Sequence, residues 1–267
     1  MKVLPLEYCV SENAIDSVNK VTDENAFLDL NKERKRKRGD TFLIIDKKTS
    51  KVSYITPILH QNNFYGAKIP KPSSLFLAQS FEFEKKTSEF LNLFPKSVEW
   101  NLHQNPEPNF NPNNNNIYLI KEDLYYKFLM YKISSITALI SAVECLINEN
   151  IPDKFIIENK KEIVGKNIIE RHWSLKSKLK ALVPKIKEIN DLKGYSIKAD
   201  KFLELNKLRN EFTHMKTKLN AKNMEPYLEY FKQLSNLDLR ENIKETKILI
   251  ELIHNAEDKI IVTKKRK

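Results

Sequence analysis

The chain has 267 residues, of which 41% are hydrophobic and 30% are charged, an ordinary composition for a soluble globular protein with ample core. Its formal net charge of +11 favours polyanionic partners, although a lysine-rich solvated surface would give the same value. The two cysteines, Cys9 and Cys145, match no metal-ligand spacing, provide no disulfide framework and fit a reducing cytoplasm. Its apolar runs are interrupted well short of about 20 residues, so we expect neither a membrane span nor a secretory signal.

The N-terminal region contains a dense basic run over residues 32–40, which ends in a Gly-Asp turn signal. Such a run is typical of a solvated loop, and a phosphate-contacting patch is the alternative. Residues 41–46 and 51–56 then predict two strands joined as a hairpin. Because two strands alone are marginally stable, the hairpin is expected to pack on helices or on a further strand. The Pro-, Asn- and Gln-rich residues 57–75 predict irregular structure.

A domain junction is predicted in the stretch 105–116, where Pro and Asn alternate before four consecutive Asn residues. Pro and Asn at this density disfavour regular structure and indicate a loop or linker. We therefore expect an N-terminal region of unknown role over residues 1–118 and a second domain over residues 119–267.

Beyond this junction the pattern of apolar residues is almost wholly helical. Helices are predicted for Leu124–Glu149, Trp173–Lys185, a segment around residues 205–219, Glu225–Leu234 and Leu239–Ala256. The expected fold class is α+β, with an all-α C-terminal helical bundle and a smaller N-terminal α/β region that contains the β-hairpin.

The helix around residues 205–219 carries the most informative pattern in the chain. Its apolar residues recur at intervals of three and four, the spacing of a core-facing helical face: Leu205, Leu208, Phe212, Met215 and Leu219. A separate polar sector contains Asn206, Arg209, Asn210, Thr213 and His214. A guanidinium is a permanently charged phosphate ligand, and an imidazole can move protons near neutral pH. This face suits a site that handles phosphate.

The sequence Arg-Asn-x-x-x-His at residues 209–214 resembles the Arg-x4-His signature of HEPN domains, all-helical modules found in prokaryotic toxins, abortive-infection proteins and RNA nucleases. The resemblance covers roughly residues 119–260. Residues 124–149 resemble the first HEPN helix, which often carries small residues and an acidic residue near its end. Residues 173–185 resemble the short helix that precedes the motif helix in many such proteins.

The resemblance implies a homodimer in which two motif helices meet and form one composite site. Arg209, His214 and Asn210 would be its catalytic residues. The implied reaction is RNA cleavage in which the ribose 2′-OH attacks the adjacent phosphorus, with His214 moving protons and Arg209 stabilising the phosphate charge. No cofactor is expected, and the absence of a carboxylate or His/Cys cluster with metal-ligand spacing agrees with a metal-free site.

Glu144 interrupts an otherwise apolar stretch between residues 140 and 147, and it has two interpretations. It lies at a surface position of an amphipathic helix, or it supports the site by pairing with Arg209 or tuning His214.

Three functions remain open from the sequence. The favoured one is a cytoplasmic RNA endonuclease, a toxin or phage-defence effector, with RNA, a second copy of the chain and a cognate inhibitor or sensor protein as partners. The second is a non-catalytic HEPN-type module that binds RNA, a nucleotide or a protein. The third is a structural or antitoxin-like subunit whose helix face makes only a dimer contact.

Overall fold

The computed structural model describes residues 3–9, 25–28, 42–46, 51–101, 118–159, 162–213 and 224–259. The chain divides into two compact units, Met1–Ala78 and Gln79–Lys267, called here the N-terminal and C-terminal units. Helices predominate, and the strands form small antiparallel sheets, which agrees with the predicted α+β class. The basic run at residues 32–40 and the Asn-rich stretch at 105–116 lie outside the described residues.

The N-terminal unit contains a five-stranded antiparallel sheet. Its strands are β1 (Glu7–Cys9), β2 (Asn25–Leu28), β3 (Phe42–Asp46), β4 (Lys51–His60) and β5 (Asn63–Lys68). The order is β1-β4-β3-β2, and β5 pairs with the second half of β4. Pairing of β3 with β4, from Phe42 opposite Ile55 to Asp46 opposite Lys51, confirms the predicted hairpin.

The prediction of irregular structure over residues 57–75 is wrong. Strand β4 continues to His60, and the two-residue turn Gln61-Asn62 leads directly into β5. Both turn residues have positive φ, 47° and 62°, the backbone that a tight hairpin turn of the I′ kind requires and that Asn tolerates better than most residues. Polar residues that suggested a long loop therefore form a short turn between strands.

The C-terminal unit begins inside helix α1 and is built mainly from helices. Its helical elements are α1 (Pro72–Leu91), a 3-10 turn (Phe94–Lys96), α2 (Glu122–Glu149), α3 (Lys166–His172), α4 (Leu175–Ser177), a π-helical segment (Lys178–Leu182), α5 (Val183–Ile186), α6 (Leu192–Thr213), α7 (Met224–Asn236) and α8 (Leu239–His254). Short antiparallel pairs join β6 (Val98–Asn101) to β7 (Tyr118–Ile120), β8 (Ile156–Asn159) to β9 (Glu162–Gly165), and β10 (Lys187–Glu188) to β11 (Glu257–Asp258).

The boundary between the compact units differs from the predicted junction near residue 118, because α1 packs against α2. The rings of Phe83 and Phe90 lie 5.9 and 5.5 Å from the ring of Tyr131. The Ser135 hydroxyl donates a buried hydrogen bond to the Ser80 carbonyl at 2.7 Å. These contacts tie the second part of α1 to the helical unit.

Helix α2 forms the centre of the C-terminal unit and contacts α6 and α8. Its wholly buried apolar residues include Leu139, Ala142, Val143 and Ile147. Within the described parts of the chain, α2 is the one helix long and apolar enough to cross a membrane by length and composition. Since 56% of its most apolar window is buried inside the protein, the packing is that expected of a core helix.

Helix α7 is held to α2 through Ser235. The Lys132 ammonium, 4% exposed, donates to the Ser235 carbonyl at 2.8 Å and lies 5.0 Å from the Phe128 ring centroid. The Tyr125 and Ser235 hydroxyls share a second hydrogen bond of 2.8 Å. Burial lowers the pKa of Lys132 to about 8, against an opposing influence from Asp238.

We expect Lys132 to make the protein more stable as the pH rises from about 8 to 10.5. In this window the unfolded chain, with the usual lysine pKa of 10.5, holds a proton that the folded chain has released. The free energy of unfolding should rise by up to about 3 kcal/mol from this group. Urea titrations of the wild type and of Lys132→Met at pH 7 to 10 measure it. Parallel pH profiles of the two proteins would contradict it.

Candidate functional site

Helix α6 carries the candidate site and is firmly positioned by its first half. Asp191 Oδ1 accepts a hydrogen bond from the Gly194 N–H at 2.8 Å, a contact typical of a helix N-cap. Tyr195 is 2% exposed, and its hydroxyl donates to the Leu179 carbonyl at 2.7 Å. The beginning of α6 is therefore anchored to the π-helical segment.

The second half of α6 confirms the predicted apolar face as far as it is described. Leu205 and Leu208 are buried, at 3% and 8% exposure. Phe212 is 36% exposed and stacks on the buried ring of Tyr230 in α7, with 6.0 Å between ring centroids. Met215 and Leu219, predicted for the same face, lie outside the described residues. The helix thus presents its polar sector away from a packed core face.

Arg209 is half-buried within this polar sector. Its Nη2 donates to Asn206 Oδ1 over 3.4 Å, a long hydrogen bond between residues one helical turn apart. Its Nε is buried and has no hydrogen-bond partner among the described residues. An unsatisfied buried donor costs on the order of 1–3 kcal/mol, more when it is charged, so this N–H is suited to an acceptor supplied by a ligand. A phosphate oxygen meets that requirement.

Of the other predicted residues of the polar sector, the structure describes Asn210 and Thr213 but not His214. Asn210 is half-buried beside Arg209 in sequence. Thr213 is exposed, and its hydroxyl donates to the carbonyls of Arg209 at 3.3 Å and Asn210 at 3.1 Å, in the last described turn of α6. His214 lies outside the described residues, so its placement and the expected role of Asn210 in orienting it stay predictions.

Glu144 is engaged by a lysine rather than by Arg209. Its Oε1 lies 2.9 Å from the ammonium of Lys178, and that ammonium also donates to the Glu170 carbonyl at 2.8 Å. The Lys178 side chain is wholly buried, while the Glu144 side chain is 39% exposed. The interpretation in which Glu144 pairs with Arg209 is therefore replaced by an ion pair between α2 and the π-helical segment.

Lys178 was missed as a buried residue because other lysines, Lys176 and Lys180, lie close to it in the sequence and such a run is usually solvated. One signal for it exists: Lys178 follows Leu175 by three positions and precedes Leu182 by four, which places it in that segment's apolar stripe. Both leucines are buried.

The half-buried Cys145, next to Glu144, is an unsuitable nucleophile, because burial raises the pKa of its thiol.

Two cavities formed by the described residues lie in the C-terminal unit. One cavity of about 260 Å³ lies between α6 and α8 and is lined by residues including Lys198, Phe202 and Glu245. Another of about 330 Å³ is lined by residues including Asp191 and Leu252. Neither cavity includes Arg209. No cluster of three or more His, Cys, Asp or Glu side chains suited to a metal occurs among the residues that the structure describes.

In comparisons with known proteins, the chain matches no family model, no curated protein and no solved structure. The HEPN resemblance of residues 119–260 therefore stays a prediction from the residues that carry it. The geometry around Arg209 is independent of that resemblance.

Proposed function

We propose that this protein is a metal-independent RNA endonuclease that acts as a homodimer, with a composite site formed by Arg209, Asn210 and His214 of each chain. The observation that carries the proposal is the half-buried Arg209 guanidinium, whose buried Nε–H has no acceptor among the described residues. A chain with a net charge of +11 brings RNA phosphates to such a donor by general attraction.

In the proposed reaction, the ribose 2′-oxygen attacks the adjacent phosphorus and the bond to the 5′-oxygen breaks. One His214 accepts the 2′-OH proton, and the His214 of the second protomer donates a proton to the leaving 5′-oxygen. Arg209 stabilises the negative charge that develops on the non-bridging oxygens, and Asn210 orients His214 or the phosphate. The products are a 2′,3′-cyclic phosphate and a 5′-OH end.

Dimerisation gives this site its full set of groups. A single Arg and a single His make a sparse site, whereas two copies supply a base, an acid and two phosphate ligands. A cytoplasmic toxin or phage-defence effector is the proposed setting, with a cognate inhibitor or sensor protein as a further partner. The N-terminal unit would provide target sensing, inhibition or additional grip on RNA.

A second candidate function is a non-catalytic HEPN-type module that binds RNA, a nucleotide or a protein. It is favoured by Arg209 itself, because a buried Nε–H with no acceptor among the described residues can bind a phosphate oxygen whether or not cleavage follows. Binding would need only this part of the polar sector.

The chemistry of cleavage separates the two candidates. If the 2′-OH is the nucleophile, cleavage should continue in excess EDTA and leave a 2′,3′-cyclic phosphate, or its hydrolysis product, beside a 5′-OH end. A substrate with one 2′-deoxy substitution at the scissile nucleotide should remain uncut there, because the attacking group has been removed. Product ends can be identified by mass spectrometry.

Binding of the same deoxy-substituted RNA serves as the control. It should be retained and should weaken as salt is raised, because the basic protein contacts phosphates rather than the 2′-hydroxyl. Cleavage that requires a divalent metal, or that proceeds at the deoxy position, would exclude the proposed mechanism. Binding without cleavage of any RNA, under conditions in which the dimer forms, would favour the binding module.

A further inference from the structure

The Arg209 side chain has one hydrogen-bond partner among the described residues, and that partner is Asn206. The contact runs from Arg209 Nη2 to Asn206 Oδ1 over 3.4 Å and is partly buried. Asn206 stands three positions before Arg209, so the two side chains lie on the same face of α6. Asn210, the asparagine next to Arg209 in sequence, forms no such contact with it in the described structure.

This contact restricts which part of the guanidinium is available to a ligand. The guanidinium is a planar fork with five N–H donors, and holding one amino group limits rotation of the whole plane. With Nη2 on Asn206, the buried Nε–H is the donor that has no acceptor among the described residues. An oxyanion that presents two oxygens is the ligand that matches a fork of this shape.

We infer that Asn206 is a positioning residue that holds the Arg209 guanidinium in the orientation that binds a phosphate oxygen. This inference rests on the proposed function, because it concerns the phosphate ligand of the same site. The asparagine amide is suited to the role because it accepts a hydrogen bond without a charge. A carboxylate at this position would neutralise the guanidinium and compete with the phosphate.

A double-mutant cycle tests the inference on the full-length protein. Asn206→Ala should lower both kcat/KM for RNA cleavage and affinity for the deoxy-substituted RNA by about tenfold, the effect of losing one hydrogen bond to a charged group. In an Arg209→Ala background the same change should have no further effect, because Asn206 acts through Arg209. Asn206→Asp should weaken RNA binding more than Asn206→Ala does, because its charge opposes the phosphate.

Two further variants keep the result interpretable. Asn206→Gln retains the amide oxygen on a longer side chain and should recover part of the lost affinity, a rescue that a general packing role would not produce. Asn167→Ala, at an exposed asparagine of α3, is the matched control and should leave binding and cleavage unchanged. Circular dichroism and thermal unfolding of each variant establish that it is folded.

The outcomes separate this inference from the proposed function. Suppose that the wild type cuts RNA and that Asn206→Ala changes neither kcat/KM nor RNA affinity, or changes them equally with and without Arg209. Either result overturns the positioning role of Asn206 and leaves the nuclease proposal standing. If the wild type binds RNA but does not cut it, the nuclease proposal fails. The double-mutant cycle, measured as RNA-binding affinity, then still decides the role of Asn206. A wild type that neither binds nor cuts RNA overturns both.

Discussion

Arg209→Ala and His214→Ala should each lower the rate of RNA cleavage by at least about a hundredfold, the effect expected from removing a phosphate-stabilising donor or a proton-transfer group. Arg209 lies off the apolar face of α6, and His214 is predicted to lie off it as well, so the variants should keep their fold. The loss of stability in Arg209→Ala should also be small, because the Arg209 Nε already lacks a protein partner within the described structure. Initial cleavage rates and thermal unfolding of the purified variants provide the two measurements.

Lys207→Ala is the matched control, because it removes a positive charge from an exposed position of the same helix. It should change the salt dependence of RNA binding slightly and leave the cleavage rate nearly intact. An unchanged rate in either Arg209→Ala or His214→Ala would contradict the catalytic assignment. A large loss of thermal stability would indicate that the residue concerned is structural.

Mixing the two inactive variants addresses the composite site. Each homodimer lacks either both arginines or both histidines, whereas a heterodimer of Arg209→Ala with His214→Ala would contain one of each. The heterodimer should therefore recover a small part of the activity that neither homodimer shows, although one of the two proton-transfer groups is still missing. Analytical ultracentrifugation provides the oligomeric state. A stable monomer that cuts RNA would contradict the dimeric site.

Glu144→Gln should destabilise the protein by about 2–4 kcal/mol, because it removes the charged partner of a buried lysine. The glutamine amide oxygen can still accept from the Lys178 ammonium, as the Glu170 carbonyl does, but neither acceptor carries a negative charge to balance the buried ammonium. Chemical denaturation at neutral pH measures the change. Residual cleavage by the folded fraction should be close to that of the wild type, because Glu144 is paired away from Arg209.

Lys178→Met is the informative companion to this variant, since it replaces the whole buried charge with an apolar side chain of similar length. It should be tolerated better than Glu144→Gln, because Glu144 is 39% exposed and can be solvated when its partner is removed. If Glu144→Gln instead abolished cleavage without changing stability, Glu144 would belong to the catalytic site after all.

Several features of the fold follow from local patterns in the sequence. The composition of residues 41–46 and 51–56, joined by a short polar connection, predicts the β3–β4 hairpin, and the observed pairing of Asp46 with Lys51 confirms it. The three- and four-residue spacing of Leu205 and Leu208 predicts the core face of α6, and both are buried. Periodicity succeeds here because burial of one face depends only on residues near each other in the chain.

Features that depend on backbone geometry or distant contacts could not be predicted in this way. The turn at Gln61-Asn62 requires two consecutive positive φ values, which composition alone does not distinguish from a longer polar loop. The boundary of the compact units within α1 depends on how the rings of Phe83 and Phe90 pack against Tyr131.

For the candidate site, the sequence by itself predicted a polar sector on the helix around residues 205–219, with Arg209, Asn210 and His214 as its chemical groups. Only the tertiary structure decided that Glu144 pairs with Lys178, a residue 34 positions away, and that Arg209 Nη2 donates to Asn206 while its buried Nε has no partner among the described residues. The physical reason is that helical periodicity assigns a side chain to a face, whereas its partner is selected by packing between helices and by the need to satisfy each buried charge.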